Sequence, residues 1–251
     1  MVIDNEYCTI KITGIDPDNV SGFTLKAEFE NKSKDTTYTF WLESAAVNGV
    51  QCTPFFAIGL APGAKKEQDI TPLTEELEKG DICDYTNIEL AFCVFDCNDW
   101  TTGHVVRETL HVYPYGRENA LTYVRQLQPT DYIAVDNEYV TVVVIDYEKN
   151  GTEFCAANLF VQNKSQRNIA ITVEDMLAID SFWGGGVAAG KCAFLAASWR
   201  NTAWREDGIE DVEEIKFRLR AYDNDNWLLQ DLVNETVTLK PRNAWHSSDT
   251  V

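Results

Sequence analysis

Apolar and polar residues alternate along Phe23–Asn31, "FTLKAEFEN". Phe23, Leu25, Ala27 and Phe29 fall on one side of an extended chain, and Thr24, Lys26, Glu28 and Glu30 on the other. A period of two is the mark of a half-buried β-strand. Tyr7–Ile15 ("YCTIKITGI") and Tyr139–Tyr147 ("YVTVVVIDY") are β-branched runs with partial alternation and also read as strands. Cys155–Asn163, "CAANLFVQN", alternates less cleanly. Thr36–Ser44 ("TTYTFWLES") and Ile169–Leu177 ("IAITVEDML") follow the polar turns "NKSKD" and "NKSQR". That turn chemistry predicts a hairpin between each of these strands and the one before it. "LAPGAKK" and "VAAGKCA" mark the next turn. The turns "DCNDW" and "DNDNW" precede the last strands, Val105–Tyr113 and Leu232–Lys240.

Two segments break this pattern. Pro72–Lys79, "PLTEELEK", predicts a short helix with Thr71 as N-cap, Pro72 at the first helical position, and Gly80 after its end. Its early carboxylates suit the helix dipole. Trp199–Glu206, "WRNTAWRE", predicts a second helix after Ser198, ending near Gly208, with Trp204 standing where Leu77 stands in the first.

The paired segments follow from an internal repeat. "IDNEY" at Ile3–Tyr7 matches "VDNEY" at Val135–Tyr139, an offset of 132, and "FENKS" at Phe29–Ser33 matches "VQNKS" at Val161–Ser165 at the same offset. The offset then falls to 127: "PFFAIGLAPG" at Pro54–Gly63 matches "SFWGGGVAAG" at Ser181–Gly190, and "IELAFCVFDCNDW" at Ile88–Trp100 matches "IKFRLRAYDNDNW" at Ile215–Trp227. The five missing residues are expected within "NGVQCT". Seven short strands and one helix in each ~110-residue copy predict an all-β fold, two tandem immunoglobulin-like β-sandwiches. The expected boundaries are 1–113 for the first module, 114–133 for a linker, 134–241 for the second module and 242–251 for a tail. Tyr115, Tyr123 and Tyr132 suggest that the linker packs against a module.

Composition narrows the function. The 251 residues carry a net charge of −19, about −11 in residues 1–113 and −8 in 134–251 by count. An acidic balance in both halves excludes the basic patches that nucleic acid requires, and disfavours an anionic membrane surface. No apolar run reaches the ~20 residues of a membrane span. Met1 is followed at once by a strand, with neither a basic n-region nor an apolar h-region. A fragment of a longer envelope protein is the expectation, extracytoplasmic in that case and cytoplasmic if Met1 is the native start. The seven cysteines do not match between copies and include no CxxC pair, so they read as reduced, small apolar residues.

Few features are left for chemistry. Asp96, Asp99, Asp223 and Asp225 lie in the acidic turns at matching ends of the copies and are hard oxygen ligands suited to Ca²⁺. The competing reading is a hairpin turn in which Asp and Asn cap their own backbone. Phe182 and Trp183, in "FWGGG", and Trp199 belong to the second copy, as does Trp245; they are the candidates for contact with a protein or glycan partner. His104 and His111, seven apart on or beside one strand, point to opposite faces, and His246 lies in the tail. Without a His base, and with no GxSxG, HExxH or phosphate-loop motif, no catalytic residue is assigned.

"VDNEYVTVVV", "VQNKS", "VAAGK", "GIEDVEEIKF", "AYDNDNW" and "DLVNETVTL" resemble the tandem immunoglobulin-like modules of uncharacterised Firmicutes proteins, many from gut anaerobes. "FENKS", "AAVNG", "LAPGAKK" and "FDCNDW" repeat the pattern in the first copy. The resemblance spans nearly the whole chain and implies β-sandwich repeats displayed at a bacterial envelope. It carries no activity. The expected function is therefore a non-enzymatic interaction or spacer protein; the alternatives are a Ca²⁺-stiffened spacer and a carbohydrate-binding module.

Overall fold

The structure is a computed structural model that describes residues 2–71, 75–99, 103–150, 154–174, 182–200 and 214–239. Two compact units divide the chain, Met1–Val124 and Arg125–Val251. The fold is all-β, as the alternation predicts, and the strand pairings described below are antiparallel.

In the first unit, strands β1 (Val2–Asp4), β2 (Cys8–Asp16), β3 (Thr24–Asn31) and β7 (Lys65–Ile70) form one sheet in the order β1-β2-β3-β7. A second sheet is built on β4 (Tyr38–Val47). One side of β4 pairs with β8 (Ile88–Asp96), which pairs with β9 (Val106–Val112). The other side pairs with β5 (Val50–Cys52) and β6 (Ala57–Leu60). Asn48 and Gly49 close the β4–β5 hairpin with positive φ, 52° and 85°, the conformation that a two-residue turn needs to match strand twist.

In the second unit, β10 (Tyr132–Asp136), β11 (Val140–Asn150), β12 (Phe154–Asn163) and β15 (Cys192–Arg200) repeat the first sheet. Strands β14 (Phe182–Val187), β13 (Ile169–Glu174), β16 (Ile215–Asp223) and β17 (Val233–Leu239) repeat the second, in that order. Even the irregularities recur. The register slips between Ile12 and Gly14 in β2, and between Val144 and Asp146 in β11.

Side chains from both sheets of a unit meet in its core. In the first unit the core is aromatic: the Phe29 ring lies 5.3 Å from Phe56, 5.7 Å from Phe40 and 6.1 Å from Phe92. In the second it is mostly aliphatic, with Val142, Leu159, Val161, Ile171, Leu219 and Phe217 buried together.

Several expectations need correction. The "NKS" turns do not make hairpins. β3 pairs with β2 and β7, and β4 with β5, β6 and β8, so the turn carries the chain from one sheet to the other. Asn31 enforces that crossing by bonding across the sandwich instead of along a ladder. The missing residues are also distributed differently. Tyr38 pairs with Asp96 and Ile169 with Asp223, so the offset is 127 at β8 (223 − 96) and 131 at β4 (169 − 38). One residue is thus lost before β4 and four after it.

Of the first predicted helix, Glu75–Glu78 form α1; residues 72–74 lie outside the described residues. Of the second, Trp199 and Arg200 are strand, the end of β15 continuing its ladder with β12, so Ser198 caps no helix there; residues 201–206 lie outside the described residues. Tyr132 and Ile133, placed in the linker, begin β10. Within the first unit, Leu121 N–H donates to Thr86 Oγ1 and Tyr123 N–H to Asn48 O, so the segment after β9 does pack against the module.

Candidate functional site

The repeated sequence motifs build the same hydrogen-bonded lock in each unit. In the first, Asn5 Oδ1 accepts from the N–H groups of Tyr7 and Cys8 at 3.0 Å. Lys32 Nζ donates to Asp4 Oδ1 and to Asn5 O. Buried Asn31 donates to Thr36 O and Leu60 O, both at 2.9 Å, and accepts from Ser33 N–H. In the second, Asn137 Oδ1 accepts from Tyr139 and Val140 N–H. Lys164 Nζ donates to Asp136 Oδ1 at 2.7 Å and to Asn137 O. Asn163 donates to Arg167 O, Val187 O and Ala188 O, and accepts from Ser165 N–H. The ammonium groups of Lys32 and Lys164 hold the Asp4 and Asp136 carboxyls below the usual carboxylate range. "DNEY" and "NKS" are therefore a scaffold device: the Nδ2 donors of each buried carboxamide are spent on main-chain carbonyls.

The acidic turns join β8 to β9 and β16 to β17, as expected. Asp96 Oδ1 accepts from Asn98 N–H at 2.8 Å. Asp223 Oδ1 accepts from Asp225 and Asn226 N–H, both at 2.9 Å, and its Oδ2 lies 3.7 Å from Arg167 Nε. Asp225 Oδ2 accepts from Asn168 Nδ2. Asp99 donates its own N–H to Asp96 O. These are turn bonds, and among the described residues no group of three or more His, Cys, Asp or Glu side chains gathers around one point.

Phe182 and Trp183 lie on β14, opposite Val173 and Thr172, and Trp199 lies on β15, opposite Cys155. Their side chains, like Trp245 and His246, are outside the described residues. His104 meets the Phe95 ring edge-on at 6.1 Å, and His111 stacks on Tyr113. The described cysteines are thiols: Cys8, Cys52, Cys93 and Cys192 are buried, Cys83 and Cys97 exposed. Burial pushes the Cys52 and Cys192 thiols up to about 12, so neither is a nucleophile at neutral pH.

A different set of residues comes together on the outer face of the second sheet of the first unit. Trp41 stands there in mid-strand and is 41% exposed, while its neighbours Phe40 and Leu42 fill the core. It pairs with Ala57 on one side and Cys93 on the other, and Cys93 pairs with Arg107. Beside it, Glu43 takes two bonds from the Arg107 guanidinium, at 2.7 and 3.0 Å, and one from Cys93 Sγ at 3.3 Å. Partial burial pushes the Glu43 carboxyl up, but the bonds from Arg107 and Cys93, with the nearby Arg107 and His104 charges, together outweigh it and leave the group below its usual range. Burial, helped by the Glu43 carboxylate, pushes Cys93 up to about 12, so its thiol is a packed donor.

Along the edge of the same face, Phe55, Ala57 and Gly59 are exposed while Pro54, Phe56, Ile58 and Leu60 are buried. Leu42 N–H donates to Phe56 O, which extends the β4–β6 ladder past Ala57 and sets Phe55 on the outer side. Phe55 is fully exposed, 100%. Sequence reasoning passed over both aromatics because it looked for features peculiar to the second copy. The signal was present: Trp41 occupies an outward register position in "YTFWLE".

Among the described aromatics of the second unit, Tyr132, Tyr139 and Trp227 are exposed. Trp227, at the tip of the β16–β17 turn, is 73% exposed beside Leu228 and Leu229.

No family model matches the chain, and no curated protein matches it. Among solved structures, it is similar to a red sea bream transglutaminase at 11% identity and a TM-score of 0.24, covering 93% of this chain. It covers only 31% of that enzyme's length. It is also similar to a protein of unknown function from Porphyromonas gingivalis W83, at 9% identity and a TM-score of 0.25, covering 93% of this chain and 98% of that one. No described helix is long and apolar enough to cross a membrane.

Proposed function

We propose that this chain is a non-catalytic binding protein, a pair of β-sandwich modules that present aromatic surface to a partner. The observation that carries the reading is the outer face bearing Trp41 and Phe55. Two large aromatic side chains stand in solvent on a sheet held by a full ladder and a packed aromatic core. A rigid aromatic presented without cover loses little conformational freedom on binding, and such residues dominate binding energy. Cys8, Cys52, Cys93 and Cys192 are buried and protonated, and the Asp96 and Asp223 carboxylates cap backbone; these groups serve the fold. The sequence resemblance adds display at a bacterial envelope.

The test is affinity capture from bacterial envelope extracts on the immobilised full chain, run beside the Trp41→Ala/Phe55→Ala double variant. A discrete protein or glycan held by the natural chain and released by the variant is the expected result. Equal capture by both chains, or capture by neither, overturns the reading.

A further inference from the structure

We propose, resting on that reading, that the Trp41–Phe55 face takes a neutral saccharide chain, stacked ring on ring. Three observations on this face converge. The first is shape. On the β6 side of Trp41 the outward positions are small: Ala57 beside it in register, and Gly59, where nothing stands within 4 Å of the space a Cβ would fill; Glu43, Arg107 and Phe95 bound the face on the other side. The indole therefore has open space on its β6 side. A pyranose ring with equatorial hydroxyls presents a flat patch of axial C–H groups, which packs on an aromatic face as another ring would.

The second is repetition. Phe55 lies on the same side as Ala57, the residue that faces Trp41 across the ladder, so two aromatics share one face. Two stacking positions fit successive rings of a chain better than a single small molecule.

The third is charge. The chain carries −19 overall, yet the described charged pair beside Trp41 is Glu43 with Arg107, whose charges cancel. A locally neutral patch matches an uncharged ligand, and the acidic remainder of the molecule repels polyanions. The pair also supplies polar atoms at the rim. Glu43 Oε1 takes one bond from Arg107 and, as a carboxylate oxygen, can accept a second from a sugar hydroxyl. The guanidinium holds that carboxylate fixed in its orientation, which is what directional recognition of hydroxyls requires.

The face differs from its counterpart by the residues that matter here. Trp41 corresponds to Thr172, Cys93 to Arg220 and Arg107 to Asn234 in the second unit, by the same strand register. Saccharide binding is thus assigned to the first unit.

The experiment is titration of the full chain with cellohexaose, mannohexaose and chitohexaose, followed by calorimetry and by tryptophan fluorescence. At least one is expected to bind, Trp41→Ala to weaken it at least about tenfold, and Trp41→Tyr to restore most of it. Trp227→Ala is the matched control and is expected to leave binding unchanged. Thermal unfolding of each variant separates loss of the face from loss of the fold. Binding by none of the three, or binding that survives Trp41→Ala, overturns the proposal. A protein captured through Trp41 and Phe55 by a chain that ignores all three sugars would overturn it while leaving the broader binding function standing.

Discussion

The outer faces of the two first sheets occupy the same place in the same topology and have opposite character. In the first unit one row across the sheet is Lys11, Glu28 and Glu67. In the second unit the same row is Val143, Phe160 and Phe194, all buried. The Phe160 and Phe194 rings pack 5.4 Å apart, tilted at 56°, and the Arg125 guanidinium lies 5.9 Å above the Phe160 ring. Arg125 is held there by Asp131 at 2.7 Å, and both side chains are nearly removed from solvent, 12% and 2% exposed. Gln128 N–H bonds the second Asp131 oxygen, so residues 125–131 close on themselves as a clasp. Inward residues fix the sandwich, and outward residues are free to be solvated or covered.

The sharpest way to break this comparison is to truncate matched positions. Phe160→Ala should cost about 3–5 kcal/mol in urea unfolding, the usual range for a buried Phe, whereas Glu28→Ala should stay within about 0.5 kcal/mol. Equal costs would show that the two faces are not different environments.

The lock should behave in the opposite manner, with both copies alike. Asn31→Ala and Asn163→Ala each strand main-chain carbonyls and should each cost about 2–4 kcal/mol, at 1–3 kcal/mol per orphaned group. Hydrogen exchange should show the loss confined to the unit that carries the substitution. A large effect in one copy alone would mean that the locks are not equivalent.

A smaller effect separates the second sheets. Glu43 is held by Arg107 from β9, but its counterpart Glu174 by Arg220 from β16, which also grips Asp231 at 2.9 Å. The Arg220 bonds hold the Asp231 carboxyl below its ordinary value of 3.8. Its stabilisation is therefore complete above that value and fades as pH falls through the lower folded pKa. Asp231→Asn should flatten the loss of stability below about pH 4 by ~1 kcal/mol or less, as befits a partly screened pair. An unchanged acid limb would count against the network.

The smallest effect expected is that of Ca²⁺. With Asp96 and Asp223 occupied in capping their own turns, millimolar Ca²⁺ against EDTA should leave the melting temperature unmoved. A rise of several degrees would restore the stiffened-spacer alternative and make the turns metal sites.

The fold was legible from two signals: alternation, which is local, marked the strands, and self-similarity at an offset of 132 or 127 matched those of one copy to those of the other. The connectivity was not legible. "NKSKD" has the composition of a hairpin turn, and only the partners of Asn31, Leu60 O above all, reveal a crossing between sheets. The start of the second predicted helix was misread for a related reason: Ser198 reads as an N-cap, but the β12 ladder claims Trp199 and Arg200, and tertiary pairing overrides propensity there. The candidate site was least legible. Whether an aromatic in a strand is core or surface depends on which register position faces the other sheet, and Trp41 sits one residue from two core positions.

Each lock closes entirely inside its own unit: Asp4, Asn5, Asn31, Lys32 and Leu60 in one, Asp136, Asn137, Asn163, Lys164 and Val187 in the other. A module that carries its own fastening is a hereditary unit. Gene duplication can copy such a block whole, with no bond left to repair, and the two descendants are then free to diverge on every surface that the fastening does not touch.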